Sequence, residues 1–253
     1  MGNAPRRNRF SAEPPKVIGH RGAAGHAPEN TLVSLRRAFE LGVAWVEFDV
    51  MLSGDDQPIL FHDDKLGRVT DGRGLVAEHS LSSLRKLDAG RWFGEAFAGE
   101  RIPTLAEALA LLDELGLGAN VEIKPSKGRA AETGAVVGRA LARHWPARLP
   151  APVISSFSET ALRTFAQEAP AFPRALLVWP VPDDWRRRLS DLECVALHCL
   201  SRRLRERRAR EVIAAGYGLR CFTVNDPRRA RQLFDWGVDA VFSDFPDRIL
   251  KIL

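Results

Sequence analysis

Residues 45–52 read WVEFDVML. Strand alternation sends Val46, Phe48 and Val50 to one face and Trp45, Glu47 and Asp49 to the other. The run has the apolar content of a buried strand, yet it sets two carboxylates side by side. In a half-exposed strand of an antiparallel sheet, those acids would simply face water. Whether that ordinary reading holds depends on what surrounds the strand.

Working outward, short β-like runs alternate with helix-like segments along the chain. Strands are expected at 16–20 (KVIGH), 45–52, 119–124 (ANVEIK), 152–156 (PVISS), 174–179 (RALLVW), 194–198 (CVALH), 219–224 (LRCFTV) and 239–243 (DAVFS). Helices fit between them: ENTLVSLRRAFEL, LAEALALLDEL, ETGAVVGRALARHW, ETALRTFAQEA, a short DDWRRRL, RRLRERRAREVIAAG, PRRARQLFDWG and a final FPDRILKIL. Gly42, Gly116, Gly216 and Gly237 each follow an apolar-periodic run, as helix stop signals do. Eight strands, each followed by a helix, predict an α/β fold: a single (β/α)8 TIM barrel. Residues 53–103 are too long for a plain βα connection and predict a small insertion after strand 2, containing an extra strand in QPILFHDD. One folded domain is expected over 16–253, preceded by a polar, Arg-rich, flexible leader over 1–15.

At 253 residues, 45% hydrophobic and 27% charged, the chain has ample length for a large core. Its formal charge of +5 comes mainly from arginines spread along the chain, which read as solvated helix faces. Three cysteines, Cys194, Cys199 and Cys221, form no CxxC pair and are expected as buried thiols in a reducing cytoplasm. No run reaches membrane-spanning length, and Arg6 stands where a myristoylation signal takes Ser or Thr, so no stable membrane anchoring is expected.

In a parallel barrel both faces of a strand are covered, so Glu47 and Asp49 would crowd at the barrel mouth. Two uncompensated acids there cost several kcal/mol unless they protonate or meet a cation. In NVEIKP, Glu122 and Lys124 again share a face, at the end of the neighbouring strand. Glu47, Asp49 and Glu122 together offer three hard oxygen donors suited to a divalent cation, Mg²⁺ or Ca²⁺. IGHRGAAGHAPENT places His20 and Arg21 at the end of strand 1, before a Gly-rich turn in which His26 is peripheral; Asn30 or a neighbour caps the next helix. ILFHDD brings His62 from the insertion. A divalent ion with Arg21 and Lys124 would neutralise a phosphate and the charge that builds on it during displacement. Two imidazoles would serve as base for the nucleophile and acid for the leaving alcohol. A phosphodiester is the substrate that uses every part.

The series HRGAAGHAPENT, EFDVMLSGDDQPILFHDD, VEIKP, SSF, FTVND and GVDAVFSDFP resembles, in order and along nearly the whole chain, the glycerophosphodiester phosphodiesterases. DAGRWF, IPTLAEAL and LHCLSRRL look most like the bacterial cytoplasmic Ugp-type enzyme. The resemblance implies hydrolysis of glycerophosphodiesters to sn-glycerol 3-phosphate and an alcohol. It makes Glu47, Asp49 and Glu122 metal ligands, His20 the proton acceptor and His62 the donor, and Arg21 and Lys124 phosphate contacts. Glu29, the acid of PEN, then orients the first loop. If the glycerol 2-hydroxyl attacks first, the two histidines exchange roles in a second step.

Phe222 stands where many relatives carry Trp, and it and Phe157 read as core packing or as an apolar wall. Trp179, Trp185 and Trp236 read as packing. Two other readings compete: a phospholipase- or sphingomyelinase-D-like enzyme with nearly the same site, and an anion-binding module built on SRRLRERRAR (201–210). The first would favour an apolar lip for lipid tails; the second would want aromatics between its arginines to bind nucleic acid, and that run has none. The expected partner is therefore a small glycerophosphodiester and not nucleic acid. Pairing into a homodimer is left open.

Overall fold

The sheet closes on itself through a single register pair. In the structure, a computed structural model describing residues 15–253, β1 (Val17–Gly19) lies parallel to β2 (Trp45–Leu52) with Gly19 opposite Val46. A short β3 (Pro58–Leu60) folds back antiparallel on β2. The parallel series continues through β4 (Gly118–Ile123), β5 (Val153–Ser156), β6 (Arg174–Val178), β7 (Ala196–Leu200), β8 (Gly218–Phe222) and β9 (Ala240–Ser243), which returns to β1. Eight parallel strands thus form the expected TIM barrel. The expected leader, 1–15, lies outside the described residues apart from Pro15.

Helices α1 (Leu32–Glu40), α2 (Leu81–Leu84), α3 (Leu105–Leu115), α4 (Ala130–His144), α5 (Glu159–Glu168), α6 (Trp185–Asp191), α7 (Glu206–Ala214), α8 (Pro227–Asp235) and α9 (Pro246–Leu250) follow in chain order, and all but α2 correspond to expected helices. The layer between strands and helices explains the apolar half of the opening stretch. Val46, Phe48 and Val50 pack with Leu35, Ala38, Leu105 and Leu112. Full burial of Phe48 alone contributes roughly 2 kcal/mol. Inside the barrel, Ile18, Trp45, Val153, Ala196 and Phe242 fill the lower layer. Trp45 faces Gly118 across the β2–β4 register, and a Cβ on Gly118 would lie 2.4 Å from the indole. The ring therefore requires a glycine as its neighbour.

Between β2 and α3 the chain makes its long excursion. Met51, Ile59, Phe61, Leu66, Val76, Leu84 and Ile102 form a small apolar cluster there, separate from the barrel layers. α3 then starts on a capping box: Thr104 Oγ1 accepts from the Glu107 N–H while Glu107 Oε2 accepts from the Thr104 N–H. It ends at Gly116, left-handed at φ 71°.

Most strand ends fall within a residue or two of expectation, and two departures have a clear physical cause. β7 begins at Ala196, two residues late, because the Cys194 N–H still closes α6 by donating to the Leu189 carbonyl at 2.9 Å. The helix expected to run unbroken through RRLRERRAREVIAAG instead splits into a 3-10 turn over Ser201–Arg203 and α7. Leu204 and Arg205 between them are extended, and Leu204 is buried. The cysteines are all free and buried, as expected, and burial pushes the Cys194 thiol up to about 12. Among the described residues no helix is long and apolar enough to cross a membrane.

Candidate active site

The carboxyl ends of β1, β2 and β4 set the site. Asp49 and Glu122 are direct register partners, so their side chains leave the sheet on the same side, with Glu47 two residues below Asp49. One carboxylate oxygen from each of Glu47, Asp49 and Glu122 lies within 4.8 Å of the others. Glu47 and Asp49 are buried, and Glu122 is nearly so. The three acids expected to converge therefore do so.

Their protonation energetics show how crowded they are. Burial, then repulsion from Asp49 and Glu122, pushes the Glu47 carboxyl well above its usual range. Burial and then Asp49 push Glu122 up to about 7. Burial acts on Asp49 in the same direction, but Arg21, Lys124, His62 and the Asn30 amide outweigh it and hold its pKa low. Lys124 Nζ sits 3.3 Å from Glu122 Oε1 and 3.7 Å from Asp49 Oδ1. Two cations shared among three buried carboxylates, two of which resist ionisation, make a donor set chemically suited to a divalent cation.

The loop after β1 supplies the opposite wall. Arg21 adopts a left-handed φ of 49°, and Gly22 follows at φ 88°. A Cβ on Gly22 would meet the Ser34 backbone at 2.5 Å, so only glycine lets the loop approach α1 this closely. The turn aims two N–H groups at Glu47: Arg21 N donates to its Oε2 at 2.9 Å and Gly22 N to its carbonyl at 3.1 Å. The Arg21 guanidinium donates to Glu29 at 2.6 Å and lies 3.3 Å from Asp49. Thr31 caps α1; Asn30, at φ 56°, instead bonds to Asp49.

His20 and His62 each set Nδ1 against a carboxylate. His20 Nδ1 lies 2.6 Å from Asp244 Oδ1, and its Nε2 is 3.9 Å from Glu47 Oε2. His62 Nδ1 lies 2.5 Å from Asp63 Oδ1. Such a carboxylate fixes the ring's orientation and leaves Nε2 for chemistry. Asp244 is anchored in turn by Asn225 Nδ2 at 2.7 Å. Asp63 is held at about 2: burial opposes ionisation, but bonds from Arg68 and His62 prevail. Burial lowers the pKa of His62, with Arg21 and Lys124 adding to the effect against Asp49 and Asp63. Arg68 links Asp63 to Glu29, donating to the latter at 2.7 and 2.8 Å. Asp63, Arg68, Asn225 and Asp244 received no role from the sequence. Only the HDD, VND and SDFP contexts of three of them hinted at the site.

These groups line a cavity of about 490 Å³ at the barrel mouth. His20, Arg21, Glu47, His62, Glu122 and Lys124 form its polar side. Phe157, Leu177, Trp179, Leu200 and Phe222 form the other, with Asn120, Ser155 and His198 among its lining as well. Phe157 meets Phe222 edge-on at 5.9 Å and Trp179 at 6.3 Å. Trp179 is 69% exposed, so the packing role expected for it does not hold: it stands on the cavity rim, beyond the end of β6. Trp185 does pack, against Tyr217. Trp236 lies under the Arg229 guanidinium. His26 turns away to Asp247 and Phe245, peripheral as expected.

The chain matches the glycerophosphoryl diester phosphodiesterase family model over residues 20–248. It is 32% identical over 239 residues to the glycerophosphodiester phosphodiesterase of Caldanaerobacter subterraneus, covering 94% of this chain and 97% of that one. With the Bacillus subtilis glycerophosphodiester phosphodiesterase it shares 30% identity over 93% of its length and 85% of the relative's. The structure of an Oleispira antarctica phosphodiesterase in complex with the product sn-glycerol-3-phosphate superimposes with a TM-score of 0.92 at 44% identity, covering 94% of this chain and 96% of that one. A barrel with this mouth, matched along almost its whole length, belongs to the glycerophosphoryl diester phosphodiesterase family and is a phosphodiesterase acting on glycerophosphodiesters.

Proposed function

We propose that the chain hydrolyses glycerophosphodiesters to sn-glycerol 3-phosphate and an alcohol, as a single catalytic unit over 16–253 whose insertion, 53–103, carries one of two acid–base histidines. The convergence of Glu47, Asp49 and Glu122 beside two carboxylate-braced imidazoles carries this reading. The three acids would hold the divalent cation, Mg²⁺ or Ca²⁺. When bound, it would supply charge neutralisation for the phosphate oxygens.

The residues themselves account for the rest. Arg21 and Lys124 donate to the non-bridging phosphate oxygens and balance the negative charge that grows there in displacement. His20, oriented by Asp244, takes the proton of the attacking hydroxyl as its oxygen bonds to phosphorus. His62, oriented by Asp63, gives a proton to the leaving alkoxide as its bond to phosphorus breaks. Burial, with Arg21 and Lys124 adding to it, lowers the pKa of His62 in the free cleft; the negative charge of a bound phosphodiester opposes the two cations' share of that effect and so favours the protonated acid. Where the attacking group is the substrate's own 2-hydroxyl, water opens the cyclic ester with the histidines exchanged.

The test is release of glycerol 3-phosphate from glycerophosphocholine and glycerophosphoethanolamine with and without exhaustive chelation, and after Mg²⁺ or Ca²⁺ is returned. The reading expects loss on chelation and recovery with at least one ion. Undiminished turnover in chelator overturns the metal's role.

A further inference from the structure

The break in the arginine-rich run has a functional location. The Ser201–Arg203 turn follows β7 directly, at the same end of the barrel as the catalytic cavity. It is held from behind: Arg229 donates to the carbonyls of Ser201 and Leu204, and Ser201 Oγ donates to the Thr223 carbonyl at 3.4 Å. Beyond the break, the arginines of α7 have acidic partners: Arg207 with Glu211, Arg208 with Asp183 and Glu211, Arg210 with Glu206. Arg202 and Arg203 are exposed and have no carboxylate partner among the described residues.

Both arginines line a groove of about 680 Å³ with Trp179, Pro180 and Leu200. Trp179 and Leu200 also line the catalytic cavity, so the two spaces share a wall. No carboxylate lines the groove, nor the next depression beyond it, which takes in Arg203, Arg205 and Arg207. An indole 69% exposed on the rim is an apolar platform that water covers poorly. The two guanidiniums beyond it are forked donors that match phosphate oxygens and disfavour a quaternary ammonium.

We propose that this groove binds the alcohol half of the substrate over Trp179, and that Arg202 and Arg203 select alcohols bearing a second phosphate. The inference rests on the hydrolysis proposed above and adds to it the substrate class. The second phosphate can be a monoester on a polyol or another diester in the same molecule; both present the same anionic oxygens to the arginines.

The experiment compares kcat/KM on matched pairs in saturating Mg²⁺ or Ca²⁺: glycerophosphoinositol against its 4-phosphate, and glycerophosphoglycerol against bis(glycerophospho)glycerol, with glycerophosphocholine as reference. The wild-type enzyme should favour the phosphate-bearing member of at least one pair. The double variant Arg202→Gln/Arg203→Gln should erase that preference by about five-fold or more while glycerophosphocholine, relieved of two like charges, is turned over as well or better. The variant Arg36→Gln/Arg139→Gln removes the same charge far from the mouth and should leave the preference intact. Trp179→Ala should raise KM for the inositol and glycerol substrates alike. No wild-type preference in either pair, or an equal loss on every substrate, overturns the subsite; so does an equal effect of the remote control. A wild-type enzyme inactive on all five substrates instead overturns the hydrolysis itself.

Discussion

Asn30 and Asp49 exchange hydrogen bonds. The Asn30 Nδ2 donates to Asp49 Oδ2 at 2.9 Å, and the Asp49 backbone N–H donates to Asn30 Oδ1 at 3.1 Å. One amide thus fixes both the strand end and the carboxylate angle, from a left-handed backbone position that Asn tolerates better than most residues. Asn30→Ala should weaken Mg²⁺ or Ca²⁺ binding by about ten-fold, as loss of a supporting partner typically does. Titration calorimetry on the chelated protein measures it, and an unchanged dissociation constant would remove Asn30 from the site.

Asp244 acts through His20. With its carboxylate against Nδ1, the ring presents Nε2 to the cavity. Asp244→Asn should lower kcat by about 10- to 100-fold and leave KM near wild type, since the phosphate contacts stay in place. Asp244→Glu should recover part of the rate. A change confined to KM would mean that Asp244 shapes binding rather than proton transfer.

Glu122 is ionised at a cost in the metal-free protein. Its pKa rises from 4.5 to about 7 on folding, so the native state holds its proton over a range where the unfolded chain releases it. The resulting destabilisation is complete above about pH 7 and disappears as pH falls toward 4.5. Glu122→Gln should therefore raise the melting temperature of chelated protein at pH 8, by an amount that shrinks to nothing near pH 4.5. Added divalent cation should reverse the order, stabilising wild type alone. Scanning calorimetry at several pH values tests both signs; a Gln variant less stable at pH 8 without metal contradicts the account.

Gly118 is fixed by Trp45. The added methyl of Gly118→Ala would sit 2.4 Å from the indole and force the barrel's inner layer to shift, costing about 1–3 kcal/mol. Trp45→Phe in the same chain should restore part of that loss. Urea denaturation of both singles and the double gives the coupling energy; strict additivity would mean that the two side chains do not compete for space.

The barrel and its acids were legible because both are local signals. A period of two set Glu47 beside Asp49, and repeated βα units fixed which strand lies next to them. The braces were not legible, since they join residues far apart in sequence. His20 meets Asp244 across 224 positions, and Arg21 N meets Glu47 across 26. Nothing in the spacing of PEN separates a helix cap from a carboxylate clamp, and there the cap fell to Thr31 and the clamp to Asn30. Trp179 misled for a different reason: an aromatic at a strand end packs or stands on a rim according to loop paths that periodicity does not encode. The break before α7 likewise follows from Leu204 being drawn into the core, a tertiary effect set against strong helical composition.

Arg68 belongs to the excursion after β2, yet its guanidinium grips Glu29 in the first loop, and Glu29 in turn grips Arg21. Two stretches of polypeptide far apart in sequence are thereby latched by a chain of ion pairs. Ionic strength thereby gains a route to the site besides encounter: concentrated salt would weaken the exposed Arg68 end of the latch, while buried Phe61, bonded through its N–H to the Asp49 carbonyl, keeps the neighbouring His62 in place.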